Sequence, residues 1–229
     1  MTNQNIKSFL INLPNDTWKK DRFDKSMKDN QQTFKYKIWN GVIVRENPQL
    51  LNWAIENNYT KIPSKPLLKG NIGSALAHIT LWEHISKQSN NTNYLIFEDN
   101  ALFTKQSLQG IQQLKDLNYD FVNLSVLRPK GKKTHIKNLL KLEKSNLNKL
   151  ERNLQNVWLS SYLISQKGAT EILNGLKKSQ FDISVDIIDR CLSKMFCWDI
   201  LNIEGYIYNN LDYFGHIETK NDTRKKENM

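Results

Sequence analysis

Residues 71–126 restrict the architectures open to this chain more than any other stretch. Ile72, Ala75, Leu76, Ile79, Trp82 and Ile85 recur at the helical repeat of about 3.6 residues and fall on one face, with Asn71 placed to cap that helix after Gly70. "YLIF" (94–97) follows, an apolar run too short for a helix and suited to a buried strand. A helical pattern over 105–117 and a further apolar run, "DFVNLSV" (120–126), continue the alternation. Upstream, "SFLINL" (8–13) reads as a strand closed by Pro14 and Asn15; downstream, "NVWLSSYLIS" (156–165) and "QKGATEILNGL" (166–176) give strand then helix again. This order predicts an α/β fold with a mainly parallel central sheet flanked by helices.

Other segments fit around that frame. After the first strand, Trp18, Arg22, Phe23 and Met27 sit near the helical repeat, with Thr17 as the cap, and "TFKYKIW" (33–39) and "VIV" (42–44) read as strands around Asn40 and Gly41. Residues 48–58 look helical and "KIPSKPLLKG" (61–70) is a loop. A second late helix is expected over 183–196, with Val185, Ile188, Leu192 and Met195 pointing inward, and "IEGYIYNN" (203–210) adds a late strand. No internal repeat is visible.

With 39% of 229 residues hydrophobic, the chain can bury about 70% of its unfolded surface, so a single domain over 1–219 that needs no disulfide or metal to fold is expected. The basic insertion at 128–152 reads as a long loop or a lone helix, and the tail at 220–229 is charged enough to be disordered. No apolar run approaches the roughly 20 residues of a membrane helix, and "MTNQNIKSFLINLP" lacks the pattern of a signal peptide, so a cytoplasmic protein is expected. Cys191 and Cys197 have neither zinc nor redox spacing and read as core residues of a reducing compartment.

The formal net charge is +10, with Arg128, Lys130, Lys132, Lys133, Lys137, Lys141 and Lys144 crowded together and Arg224, Lys225 and Lys226 in the tail. Three readings follow: a solvated loop, peripheral contact with an anionic membrane or acidic acceptor, or nucleic-acid binding. The last ranks lowest, because the chain has no recognised nucleic-acid motif or aromatic platform.

Glu98, Asp99 and Asn100 directly follow "YLIF". In an open α/β sheet that position is the crevice beyond the carboxyl ends of the strands, where ligands collect. Two carboxylates and an amide there can hold a hard cation such as Mg2+ or Mn2+ and leave positions open for a diphosphate, or can simply shape a turn.

"FLINLPNDTWKKDRF", "GNIGSALAHITLWEHI", "YLIFEDNALF" and "SSYLISQKGATEIL" together resemble, in order and spacing, the landmarks of glycosyltransferase family 25, the group of lipooligosaccharide and collagen galactosyltransferases. The resemblance spans about residues 9–189. It implies a GT-A type fold, a UDP-sugar donor, a saccharide or glycolipid acceptor, Mn2+ or Mg2+, and transfer of a hexose, galactose by preference, with inversion. Glu98, Asp99 and Asn100 match the family's acidic triplet, usually Glu-Asp-Asp, and would meet metal, ribose and diphosphate, with Asp99 and Asn100 as the metal ligands. Asn12 and Arg22 match the opening strand and the arginine after it, assigned to the nucleotide, and Asn40 and Gly41 stand where Asp-Gly is usual, near the base pocket. Gly70 and Gly73 would let the backbone approach a phosphate or sugar, or serve a tight helix entry. His78 is a satisfied buried histidine or a sugar contact.

Two departures matter. Asn100 removes a carboxylate from the third triplet position, so the amide coordinates weakly, another acid substitutes, or the protein is a non-catalytic relative. Asp182, Asp186 and Asp189, spaced to share a helical face, supply the alternatives: Asp186 is the candidate general base or replacement ligand, and Asp182 and Asp189 read as a solvated face with Asp182 as the cap. Ser74 and Ala77 replace residues commonly Cys and Ser in the family.

Overall fold

The computed structural model describes residues 5–33, 35–65, 69–88, 92–105, 107, 120–124, 140–141, 159–179, 181–186, 188–197, 207–208 and 214–216. The elements in order are β1 (Asn5–Asn12), α1 (Thr17–Asp29), β2 (Lys37–Asn40), α2 (Pro48–Glu56), α3 (Lys69–Ser86), β3 (Thr92–Glu98), β4 (Ala101–Phe103), β5 (Phe121–Asn123), β6 (Leu140–Lys141), β7 (Ser161–Ser165), α4 (Gln166–Ser179), α5 (Ile188–Cys197), β8 (Ile207–Tyr208) and β9 (Phe214–His216).

One sheet runs β2-β1-β3-β7-β5-β8-β6, and β4 pairs with β9 in a separate ribbon. The sheet is mixed, a correction to the mainly parallel expectation. β1 is parallel to β2 and β3, and β5 is parallel to β8, but β7 lies antiparallel between β3 and β5, and β6 is antiparallel to β8. An apolar run announces burial and leaves direction open, so the reversal of β7 carries no signature in "SSYLIS".

Both faces of the sheet are covered, and the two-residue side-chain period divides each strand between them. Phe9, Ile11, Tyr94, Ile96, Tyr162 and Ile164 face a core shared with α2, α3, α4 and α5. Leu10, Leu95, Phe97 and Leu163 face a second core closed by Phe23 of α1 and by Ala101 and Phe103 of β4. The predicted stripe of α3 is buried throughout, from Ile72 to Ile85, and so are Ala77, His78 and Leu81, because this helix is wrapped on several sides.

Boundaries moved where local chemistry outweighed periodicity. α1 begins at Thr17, with Asp16 in the cap position, and α3 begins two residues before Asn71. Residues 42–44 form no strand; Val42 is instead buried beneath α3, where a Cβ on Gly73 would lie 2.2 Å from the Val42 carbonyl oxygen. The late helix starts at Ile188 rather than at 183. Asp182 stops it earlier: its Oδ1 accepts from the Ser184 amide (2.9 Å) and hydroxyl (2.6 Å), and its Oδ2 accepts from the Ser64 hydroxyl at 2.5 Å. Residues 182–186 therefore form a turn that leaves Val185 half exposed, while Ile188, Leu192 and Met195 point inward as expected. Most of the helix expected over 105–117, the basic stretch 128–152 apart from β6, and the tail after 219 lie outside the described residues.

Candidate functional site

The register aligns polar residues across one edge of the sheet. Asn12 ends β1 opposite Asn40 of β2, Glu98 ends β3 opposite Ile11, and Ser161 opens β7 opposite Phe97. The Glu98 amide donates to the Ser160 carbonyl at 2.9 Å, and the Gly41 amide donates to the Asn12 carbonyl at 2.8 Å. Asn12 is buried and Asn40 exposed. β9 places His216 opposite Ala101, one residue past the triplet.

Successive residues leave a strand end on opposite sides, and Glu98 and Asp99 do so here. Asp99 turns toward α1. Its carbonyl accepts from Arg22 Nη2 at 2.9 Å, and its Oδ2 lies 3.7 Å from Lys19 Nζ, which also pairs with Asp16 at 2.9 Å. Burial pushes the Asp99 carboxyl up to about 6, with Lys19 and Arg22 pulling it down against the charges of Glu98 and Asp16. The Arg22 guanidinium also lies over the ring of half-exposed Trp18, 5.1 Å from its centroid.

Glu98 turns toward α3 and β7. Its Oε1 lies 3.2 Å from His78 Nε2 and accepts from Ser74 Oγ at 3.3 Å, and its Oε2 accepts from Asn100 Nδ2 at 3.4 Å. His78 is fully buried, and its Nδ1 lies 2.9 Å from the Tyr162 hydroxyl, which accepts from Trp82 Nε1 at 2.9 Å. An indole N–H can only donate. In the neutral tautomer that matches this order, the Tyr162 hydrogen donates to His78 Nδ1 and His78 Nε2–H donates to Glu98. Both ring nitrogens of His78 are thus engaged within the protein.

Gly70 lies in the first turn of α3, and the space a Gly73 side chain would need is filled by the Val42 carbonyl. Asp186 sits in the turn before α5, its amide donating to the Asp182 carbonyl at 2.9 Å. Asp189, the last of the three late acids, is drawn into the site's electrostatics. Burial in the first turn of α5, with the charge of Glu98 second, pushes its carboxyl up to about 8. The spacing of the three aspartates points Asp189 to solvent, and neither Lys19 nor Tyr162 carries a local signal, because the Trp82–Tyr162–His78 chain rests on contacts across 80 and 84 residues.

The raised Asp189 fixes a sign. Its folded value of about 8 stands above the ordinary 3.8, so stability tied to its protonated form is fully present below about pH 4 and is lost as pH rises toward 8. Asp189→Asn keeps the neutral form. Variant and wild type are expected to unfold alike near pH 4 and to diverge above it, the variant being more stable by about 1–3 kcal/mol at pH 8.5. Thermal melts across that range check this; a gap independent of pH, or a more stable wild type at pH 8.5, would contradict it.

Among the described residues, the side chains around Asp99 do not fit a divalent cation. Glu98 turns away from Asp99 toward Ser74 and His78, and Asn100 adds one neutral amide oxygen. An ion on Asp99 would approach the Lys19 ammonium, and at about 4 Å and an effective dielectric near 20 that repulsion is on the order of 8 kcal/mol before screening. Among the described residues, no group of three or more His, Cys, Asp and Glu could hold a metal.

Four buried polar atoms lie near this edge without a hydrogen-bond partner among the described residues: Asn12 Oδ1, Arg22 Nε, Asn100 Oδ1 and Ser160 Oγ. The family model described as glycosyltransferase family 25 (LPS biosynthesis protein) matches residues 5–188. The chain belongs to glycosyltransferase family 25. A putative glycosyltransferase of Haemophilus influenzae is 26% identical over 145 residues, covering 63% of this chain and 48% of the relative. Procollagen galactosyltransferase 1-B of Xenopus laevis is 24% identical and procollagen galactosyltransferase 2 of Mus musculus 27% identical, each covering 72% of this chain. The chain spans only 28% and 27% of those two relatives. Every site residue from Asn12 to Asp186 falls inside the matched span, with Asp189 just beyond it.

Proposed function

We propose that the chain transfers a hexose, galactose by preference, from a UDP-sugar to a hydroxyl of a saccharide or glycolipid. One observation carries this reading beyond family membership: orphaned polar atoms of Asn12, Arg22, Asn100 and Ser160 gather beside Glu98 and Asp99 at one edge of a helix-flanked mixed sheet. Buried polar groups are ordinarily paired, so several orphans in one place favour a polar ligand. The galactosyltransferase names of two relatives support the choice of sugar.

In this reading Asn12, Arg22, Asn40 and Gly41 hold the nucleotide, with the Arg22 guanidinium toward the diphosphate. The acceptor oxygen bonds to the anomeric carbon, the bond from that carbon to the diphosphate oxygen breaks with its electron pair leaving on UDP, and the acceptor's proton passes to a carboxylate. Single displacement inverts the anomeric centre. Asp186, half-buried in the turn before α5, is the proposed base. Asp189 is less suited at neutral pH, because a carboxyl pushed up to about 8 mostly keeps its proton. No step is assigned to a metal. The basic residues between 128 and 144 are proposed to hold the enzyme at an anionic membrane surface.

Calorimetric titration of the full chain with UDP, with and without Mn2+, tests the donor site without an acceptor. Binding with a Kd of about 10–100 μM, the range of ordinary small-ligand sites, is expected. An absence of binding under both conditions would remove the transferase reading and leave a non-catalytic relative.

A further inference from the structure

Among residues around Glu98, the chain Trp82–Tyr162–His78 is built more completely than packing requires. Its members come from α3 and β7, all three side chains are fully buried, and each hydrogen bond is 3.2 Å or shorter. Two further donors, Ser74 Oγ and Asn100 Nδ2, also reach the Glu98 carboxylate. An indole N–H, a phenol and an imidazole in series cost desolvation when buried, and apolar residues would fill the same volume more simply. What the series achieves is direction: the donor-only indole orders the phenol, the phenol orders the imidazole tautomer, and the imidazole N–H holds one oxygen of Glu98.

The two sides of the site differ in charge. On the α1 side, Lys19 and Arg22 gather around Asp99, a setting suited to phosphates. On the α3 and β7 side, Glu98 presents a carboxylate flanked by Asn100 and Ser74, a setting suited to a neutral ligand rich in hydroxyls. A nucleoside diphosphate laid along Asn12 and Arg22 would carry its sugar toward Glu98.

We infer that Trp82, Tyr162 and His78 are positioning residues that hold Glu98 as an acceptor for a hydroxyl of the transferred hexose. This rests on the donor reading above and extends it to the sugar. Hydrogen bonds to a charged acceptor discriminate strongly, so a hexose that finds Glu98 correctly held gains affinity over UDP alone.

The test compares UDP, UDP-galactose and UDP-glucose by calorimetry on the full chain, for wild type, Tyr162→Phe and Trp82→Phe. Wild type is expected to bind at least one UDP-hexose more tightly than UDP. Tyr162→Phe is expected to weaken that UDP-hexose about 10-fold while UDP changes less than about 2-fold, with Trp82→Phe acting in the same direction by about 3-fold. A merely structural role would weaken both ligands together, and that result overturns the inference. So does a hexose affinity unchanged in both variants, or a wild type that binds UDP and gains nothing from either hexose, and each of these leaves the nucleotide reading standing. A wild type that binds none of the three overturns both.

Discussion

Gly73→Ala is expected to lower the melting temperature by roughly 6–12 °C, the shift that a loss of about 3 kcal/mol produces in a chain of this size. The sign is informative, because exchanging a mid-helix glycine for alanine ordinarily stabilises by about 0.5–1 kcal/mol. Here the added Cβ would lie 2.2 Å from the Val42 carbonyl oxygen and 3.4 Å from its carbon. Both are backbone atoms, so no side chain can rotate away, and α3 would have to separate from the segment that follows β2. That segment is itself pinned: the Gly41 amide donates to the Asn12 carbonyl, and a Cβ on Gly41 would stand 3.0 Å from Leu13. Separation would also disturb Ser74 and His78, one and five residues along, and through them Glu98. A melt at or above the wild-type temperature would mean that α3 can move off Val42 at little cost.

The spacing of Ile72, Ala75, Leu76, Ile79, Trp82 and Ile85 identified α3 and its inner face, since a 3.6-residue period is a property of one element. That Gly73 meets Val42 is a property of two elements, and nothing in "GNIGSALAHI" distinguishes a glycine shaped for a ligand from one shaped for a carbonyl. The triplet followed the same rule. A polar trio after a buried apolar run predicted its position at the strand end, whereas its partners depended on how elements pack: Ser74 and His78 through the crossing of α3 over β3, Tyr162 through the unforeseen antiparallel β7. Asp182, Asp186 and Asp189 carried helical spacing, yet Ser64 and Ser184 capture Asp182 and delay the helix to Ile188, which separates the three acids and leaves Asp189 within reach of the Glu98 charge. Local hydrogen bonding of an aspartate outcompeted periodicity there.

Glu98→Gln is expected to reduce UDP release from a UDP-hexose in the presence of an acceptor by 100-fold or more, about 3 kcal/mol in the transition state. The substitution keeps size and planarity and removes the charge. His78 Nε2–H and Ser74 Oγ can still donate to an amide oxygen in the place of Oε1, so the buried chain behind it is retained. Asn100 Nδ2 would then face an amide NH2 where Oε2 accepted it, two donors opposed, which loosens the very residue that departs from the acidic triplet. Toward the substrate, a neutral amide accepts more weakly than a carboxylate and offers nothing to the positive charge that develops on the sugar ring as the bond to UDP breaks. The loss should therefore fall on kcat rather than on UDP affinity, which the α1 side supplies through Arg22. A second readout separates lost charge from misfolding. Glu98 is one of the causes that raise Asp189, so removing its charge should lower the Asp189 value from about 8 and narrow the alkaline stability gap between Asp189→Asn and its Glu98→Gln parent. Turnover near the wild-type rate with that gap narrowed would show that Glu98 contributes charge to the fold and none to the transfer.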